Sequence, residues 1–592
     1  MKPALRGMGL VLVTAVRMSP WQSLLCLFET LGKVLAALAP LFIGIFATGA
    51  LERDLDRMVV AAVALVGSTA ANAALQAVGV NARVRQMELV GHTFDARIAE
   101  LTARIPTLDH VETARYLDKL QILRDNENVL GGALNTLINL ANTLAYAISV
   151  LLVAGAADRR LLILIALGSA RLLTTRWSTR WEKDAEEAGA APGRLTRHLI
   201  DLSLSPAGAA ETRVFGHQRE LRRQIGVAVG NWRRPSVRST DRKAVLAGGH
   251  SAVFFATATA LLVWMTQDVI AGTVSLQSLV VAVGVLQSLQ TVSSSFAGAV
   301  VSVTKVGRNC ARFIWLRDYA DAAAAHTGRR QAPDRLYDGI RIDGLSFRYS
   351  GARRDSLTDI TLDLPAGAVV ALVGENGAGK STLVKLLAGL YRPTRGRVLV
   401  DGRDLAEFDL TAWRSRMSAA FQDHTRFEFT AQRSVGVGDL AVLDDSERVH
   451  RALEDGAAAD VVTALPTGLS TQLGTTWPGG VELSGGQWQR IAIARGMMRQ
   501  SPLLLVLDEP TAAIDAATEH SLFERYSAAG RHARRHGGVT LLVTHRFSTV
   551  ATADLVVVLD QGRVVEVGSH SELVSHRGKY AELHELQARG YR

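Results

Sequence analysis

The sequence predicts a multidomain chain: an all-α membrane domain of six helices, followed by an α/β domain with a helical subdomain. Three observations carry this reading. Long uncharged stretches are confined to the first half; strand-like and helical patterns alternate from about Leu336; and a glycine-rich loop, Gly374–Thr382, separates a short apolar strand from a helical pattern. The chain has 592 residues, 48% of them hydrophobic and 21% charged, with a net charge of +10 and a mean hydropathy of +0.15. The length calls for at least two folding units, and the apolar fraction excludes a disordered chain. Two cysteines, Cys26 and Cys310, exclude a disulfide scaffold. The basic balance alone leaves either nucleic acid or a membrane surface open as partner.

Residues 1–320 form the predicted membrane domain. No Asp, Glu, Lys or Arg occurs in Val34–Ala50, Met58–Ala82, Val129–Ala157, Ala244–Gln267 or Val269–Thr304. Each stretch is close to, or longer than, the ~17–25 residues that cross a hydrocarbon core as a helix. A sixth and weaker stretch runs from Leu161 to about Thr175 and contains Arg171. Spans are placed at about 21–50, 58–82, 131–157, 160–178, 244–267 and 273–304. A long amphipathic lead precedes the first span and more spans follow it, so a cleavable signal peptide is not expected.

Cations set the orientation. Lys2, Arg6 and Arg17 precede span one, seven cations from Arg83 to Arg124 follow span two, and a denser set runs from Arg176 to Lys243. The opposite loops are short. Both termini and both long loops are therefore expected on the cytoplasmic side of the cell membrane, with Arg159 and Arg160 a minor breach of the rule. Residues 321–335 read as a linker and 336–592 as a soluble α/β domain.

The second half carries the chemistry. Val369–Val373 is an apolar strand, and Gly374-Glu375-Asn376-Gly377-Ala378-Gly379-Lys380-Ser381-Thr382 is the phosphate-binding pattern in its strand–loop–helix context. Glycines let successive backbone N–H groups converge on phosphate, and the helix N-terminus adds its dipole. Lys380 is expected to neutralise the β- and γ-phosphates and Ser381 to ligate Mg²⁺. Only nine of the 66 cations are Lys, which makes Lys380 conspicuous. A second apolar strand, Leu503–Leu507, ends in Asp508-Glu509; Asp508 is placed to hold Mg²⁺ and Glu509 to polarise the attacking water.

Between these elements lies Leu483-Ser484-Gly485-Gly486-Gln487, directly before the helical pattern Trp488–Met498. With this motif, the sequence resembles the ATP-binding cassette (ABC) transporters over nearly its whole length. The resemblance implies a RecA-like phosphate-loop fold with ATP and Mg²⁺ as cofactors. It implies that Ser484, Gly485, Gly486 and Gln487 cradle nucleotide held by a partner cassette. It further implies that Tyr349 stacks on adenine, that Gln422 senses Mg²⁺ and touches the membrane domain, and that His545 contacts the γ-phosphate. Ala512-Ala513-Ile514-Asp515 matches a loop crossing the dimer interface. The sequence departs from the family at Gly474–Gly480 and around Arg433-Ser434-Val435, where the cassette meets the membrane domain.

Six spans ahead of one cassette look like an exporter-type half-transporter that works as a homodimer or with a homologous second half. The implied function is ATP-driven export of a small molecule, lipid or peptide, with no nucleic acid partner. A siderophore-type importer and a regulatory, channel-like member are the alternatives. Roughly Thr107–Leu120 and Leu204–Gly216 are candidate coupling segments. Amides and hydroxyls in the spans, including Asn72, Gln76, Asn135, Asn139, Asn142, Gln277, Gln287, Gln290 and Ser293–Ser295, serve either a polar cavity or helix–helix hydrogen bonds. Lys33 lies four residues after Glu29, and an interfacial Glu29–Lys33 pair is expected in preference to attraction of an acidic cargo.

Overall fold

The computed structural model describes residues 2–125, 127–325, 327–508, 534–544 and 546–590. Two compact units emerge: Met1–Ala103 with Ala114–Ala320, and Arg104–Thr113 with Asp321–Arg592.

The first unit is helical throughout. Its elements are α1 (Lys2–Met18), α2 (Pro20–Ala36), α3 (Ala39–Glu52), α4 (Leu55–Ala103), α5 (Ala114–Asp125), α6 (Glu127–Gly131), α7 (Ala133–Ala157), α8 (Leu162–Leu204), α9 (Pro206–Val214), α10 (Gln218–Ile270) and α11 (Leu276–Ala325). Among the described residues, five segments are long and apolar enough to cross a membrane: Pro20–Glu52, which combines α2 and α3, and helices α4, α7, α10 and α11. The sixth predicted span falls in the first turns of α8, which Arg171 and Arg176 keep more polar than the other five. Valines 59, 60, 63 and 66 of α4 are exposed, as suits an apolar face turned to lipid.

The helices run well past the predicted spans. At 1.5 Å per residue, a 53-residue α10 is roughly 80 Å long, against a hydrocarbon core of about 30 Å. The cation-rich loops of the sequence reading are thus mostly continuous helix, because Ala, Arg, Glu and Leu favour helix whether or not they are buried. Ion pairs tie these extensions together. Lys243 of α10 meets Glu182 of α8 at 3.0 Å, and Arg308 and Arg312 of α11 meet Glu186 at 3.5 and 3.4 Å. At the other end, Arg160 bonds Asp268 at 2.5 Å and lies 4.4 Å over the Trp264 ring. That pairing neutralises one of the two arginines that breach the charge rule.

The second unit holds two sheets. The smaller is antiparallel, in the order β2 (Leu357–Pro365), β1 (Gly339–Phe347), β4 (Arg395–Val400), β5 (Arg403–Asp404). The larger has six strands in the order β10 (Arg563–Gly568), β9 (Leu555–Asp560), β3 (Val369–Val373), β8 (Val539–Val543), β7 (Leu504–Asp508), β6 (Met417–Ala420). Five of these are parallel and β10 is an antiparallel edge. Strands buried on both faces read as uninterrupted apolar runs, and all five residues of β7 and of β8 are buried. Valines and leucines of β3, β7, β8 and β9 form one core with the smaller sheet and Trp413. A second core, around Trp488, Val449 and Leu453, packs the helical subdomain.

Candidate functional site

Parallel strands in one sheet deliver their carboxyl ends to one edge, and that edge is where open α/β sheets bind ligands. Here β3 leads into Gly374, β6 into Phe421-Gln422, β7 ends at Asp508, β8 leads into Thr544, and β9 leads into Gln561. A cavity of about 1530 Å³ opens at this edge. Its wall includes Gly374–Gly377, Gly379–Thr382 and Gln422, with Ala352–Ser356 and Gln561 facing them.

The loop's geometry explains its glycines. Gly379 has φ +103°, and a Cβ on Gly374 would lie 2.2 Å from the Leu559 carbonyl oxygen, so neither position accepts a side chain. Helix α12 (Lys380–Leu387) starts at Gly379, and its first N–H groups face the cavity with no side-chain cap. Lys380 is buried, and its Nζ donates to the carbonyls of Gly374 at 2.7 Å and Glu375 at 3.0 Å. The ammonium is thereby held inside the loop, where a phosphate group would meet it. Backbone N–H groups, a buried ammonium and room for a nucleotide fit a polyphosphate.

The predicted residues divide into those the cavity gathers and those it does not. Glu375, Asn376, Gly377, Lys380, Ser381, Thr382 and Gln422 line it. Tyr349 does not line it. Its hydroxyl is 3.1 Å from the Thr382 hydroxyl, and its ring packs edge-on against Phe347 and Tyr391. Asp508 is buried at the end of β7. Glu509, Ala512–Asp515 and His545 lie outside the described residues. Ser381, Gln422 and Asp508 offer a hydroxyl, an amide and a carboxylate, all hard oxygen donors of the kind Mg²⁺ takes alongside phosphate.

Ser484–Gln487 stand apart from the cavity. Ser484 caps the helix Gly485–Gly496: its Oγ accepts from the Gln487 N–H at 3.3 Å, and the Gln487 side chain accepts from the Ser484 N–H at 2.8 Å. Ser484 and Gly485 are exposed, whereas Trp488 one turn on is fully buried and donates to Glu482. Arg495, near the end of the same helix, donates to the carbonyls of Ser434 and Thr425 and lies 4.5 Å over Phe427. Burial pulls its guanidinium down to about 10. The exposed motif is thus braced against the segment that follows Gln422.

Two features lie beyond the sequence reading. Lys579, at the start of the helix Lys579–Gly590, meets Glu375 of the phosphate loop at 3.0 Å, and that contact raises the lysine above its ordinary value. Only the scarcity of lysine hinted at it. The second is the extent of the first candidate coupling segment: Arg104–Thr113, rather than Thr107–Leu120, folds as part of the cassette unit. The Leu108 N–H donates to the Leu390 carbonyl at 2.9 Å, and Arg414 reaches the carbonyls of Pro106 and Gly389, both at 2.6 Å. Tyr391 donates to Glu112, and burial together with that carboxylate pushes its hydroxyl well above the usual tyrosine range.

Comparison with known proteins matches this geometry. Residues 357–512 match the family described as ABC transporter. The ATP-dependent lipid A-core flippase of Albidiferax ferrireducens is 32% identical over 469 residues, covering 79% of this chain and 78% of the flippase. The chain belongs to the ABC transporters.

The flippases of the same name from Aromatoleum aromaticum and Burkholderia orbicola are 40% and 42% identical, over 256 and 248 residues. Those two alignments cover 43% and 42% of this chain but only 41% and 40% of the relatives' length. A solved structure, that of a bacterial Atm1-family ABC exporter with ATP bound, superposes with a TM-score of 0.78. It is 25% identical and covers 97% of this chain and 98% of its own. The transporter is accordingly a multi-pass membrane protein with an ATP-binding cassette.

Proposed function

We propose that the chain is one half of an ATP-driven exporter that moves a lipid or small molecule out of the cytoplasm. In this reading the cassette and both termini face the cytoplasm, and a second half-transporter, identical or homologous, completes the machine. Residues 1–320 are the membrane domain, 321–335 the linker and 336–592 the nucleotide-binding domain. One observation carries the coupling: Arg104–Thr113, continuous with the membrane-length helix α4, folds into the cassette beside Leu390 and Arg414. A change in the cassette therefore pulls directly on a membrane helix. The names of the relatives support a lipid as cargo.

The site chemistry follows from the loop. Lys380 and the N–H groups of Gly377–Thr382 bind the phosphates of ATP, and Ser381, Gln422 and Asp508 would hold Mg²⁺, which spreads the phosphate charge. Tyr349, whose hydroxyl meets Thr382 behind the loop, would have to turn from Phe347 and Tyr391 to stack on adenine. Glu509 takes the proton of the attacking water and His545 contacts the γ-phosphate. Ser484, Gly485, Gly486 and Gln487 complete the site of the opposite chain. Their exposure, and their distance from the cavity of their own chain, support that exchange. ATP then joins the two cassettes and biases the membrane helices to one of two arrangements. Helix α9, with Val214 exposed at its end and Phe215 exposed just beyond it, suits docking on the partner's cassette.

The test is directional. The protein is reconstituted with its cassettes outward in phosphatidylcholine vesicles holding a fluorescent phospholipid in the outer leaflet. ATP is expected to move the label to the inner leaflet, and K380A is expected to stop it. ATP-dependent movement from the inner to the outer leaflet would contradict export.

A further inference from the structure

Within the first unit, helices α2, α7 and α11 enclose a cavity of about 600 Å³. Its charges do not follow the pairing expected from the sequence. Glu29 is bonded to Arg83 of α4 at 3.1 Å rather than to Lys33, because α4 packs along α2 and brings the guanidinium against the buried carboxylate. Arg83 also donates to the Asn139 side chain at 2.7 Å. Glu29 and Arg83 cancel, which leaves Lys33 on the cavity wall with no ion-pair partner among the described residues.

A second group points the same way. Asn142 is 5% exposed and lines the cavity; its carbonyl oxygen accepts from Thr30, while its Nδ2 has no hydrogen-bond partner among the described residues. A buried amide N–H₂ without an acceptor costs roughly 1–3 kcal/mol, so it is a site waiting for one. The threonines on the wall present the opposite character. Thr136, Thr143 and Thr291 donate their hydroxyl hydrogens to carbonyls of their own helices, so only oxygen lone pairs face inward.

We propose that this cavity holds the acidic group of the transported molecule, a phosphate or carboxylate, with Lys33 as counter-ion and Asn142 as amide donor. The cargo is then an acidic molecule that also carries hydroxyl or N–H hydrogens for the threonine oxygens. This inference rests on the exporter reading above and narrows it to one chemical class. A phosphate can reach the cavity on a lipid or on a soluble molecule, and the test separates the two.

The full-length protein is placed in phosphatidylcholine nanodiscs and binding is measured without nucleotide, using probes matched except for the acidic group. Phosphatidic acid is compared with diacylglycerol of the same chains, and glycerol 3-phosphate with glycerol. At least one acidic probe is expected to bind about tenfold or more tightly than its neutral partner, as befits a charge-assisted contact. Whichever pair shows the preference identifies the source as lipid or soluble. K33M is expected to abolish the preference, K33R to retain most of it, and the isosteric N142D to weaken it. If K33M does not fold, Lys33→Gln and N142D carry the same comparison. Equal binding of acidic and neutral probes in both pairs would overturn the proposal and leave helix–helix hydrogen bonding as the role of these residues. So would a K33M protein with the parental preference. ATP turnover in the same nanodiscs tests the exporter reading separately, because the binding measurement needs no ATP.

Discussion

Lys380→Ala is expected to lower ATP turnover by about a hundredfold or more, with a parallel loss of ATP affinity. The expectation follows from what the side chain does before any nucleotide arrives. Its Nζ is buried and tied to the Gly374 and Glu375 carbonyls, so the charge and the curvature of the loop depend on the same group. Alanine removes both, and it takes the ammonium donor from the Gly374 carbonyl, while the Glu375 carbonyl keeps the Ala378 N–H. Arginine is not expected to substitute, because its planar fork cannot reproduce the compact ammonium contact with the Gly374 and Glu375 carbonyls. Fluorescent-nucleotide binding and phosphate release check the two parts separately. A K380A protein with parental turnover would remove the loop from the mechanism.

Glu509→Gln is expected to reduce turnover by about 10²–10⁴-fold while ATP binding stays near the parental level. Glutamine keeps the size and the hydrogen-bonding reach of the carboxylate but cannot take a proton from water. The neighbouring Asp508 is buried in the last position of β7 and is assigned to Mg²⁺, so it is not expected to replace it. Because binding and hydrolysis separate in this variant, the two cassettes are expected to remain joined in ATP. Retained ATP on the purified dimer reads that state directly. Turnover close to the parental rate would reassign the base.

Much of the cassette was legible in the sequence because its signals are local. The strand Val369–Val373 is where the apolar run placed it, and the run at Leu503–Leu507 is a strand shifted by one residue. Buried parallel strands leave unbroken apolar runs, and the phosphate loop needs glycines where the backbone turns. The helix after the signature motif is equally local, since Ser484 and Gln487 form a capping box within four residues.

What the sequence did not disclose depends on residues far apart along the chain. Glu29 and Lys33 have the spacing of a helical pair, yet Arg83 takes the carboxylate because tertiary packing places it closer. The contact of Lys579 with Glu375 joins the start of the last helix to the phosphate loop, and nothing near either residue announces it. The first coupling candidate reads as roughly Thr107–Leu120, but the segment that joins the cassette is Arg104–Thr113, where the Pro106 carbonyl accepts from Arg414 and the Leu108 N–H donates to Leu390. The long helical extensions beyond the spans read as loops because their charges mask a helical propensity that burial does not need to support.

The central claim is that each ATP lies between the phosphate loop of one chain and the signature helix of the other. Mixed pairs of differently tagged copies test it most directly, with ATP turnover as the readout. Pairing K380A in one copy with S484R in the other damages one shared site twice and leaves the second intact, so about half of the parental turnover is expected if the two sites act independently. Placing both substitutions in one copy beside an unaltered partner damages both shared sites, and turnover is expected to fall to background. The reverse pattern, with activity in the second pair and none in the first, would show that each chain completes its own site and would contradict the account.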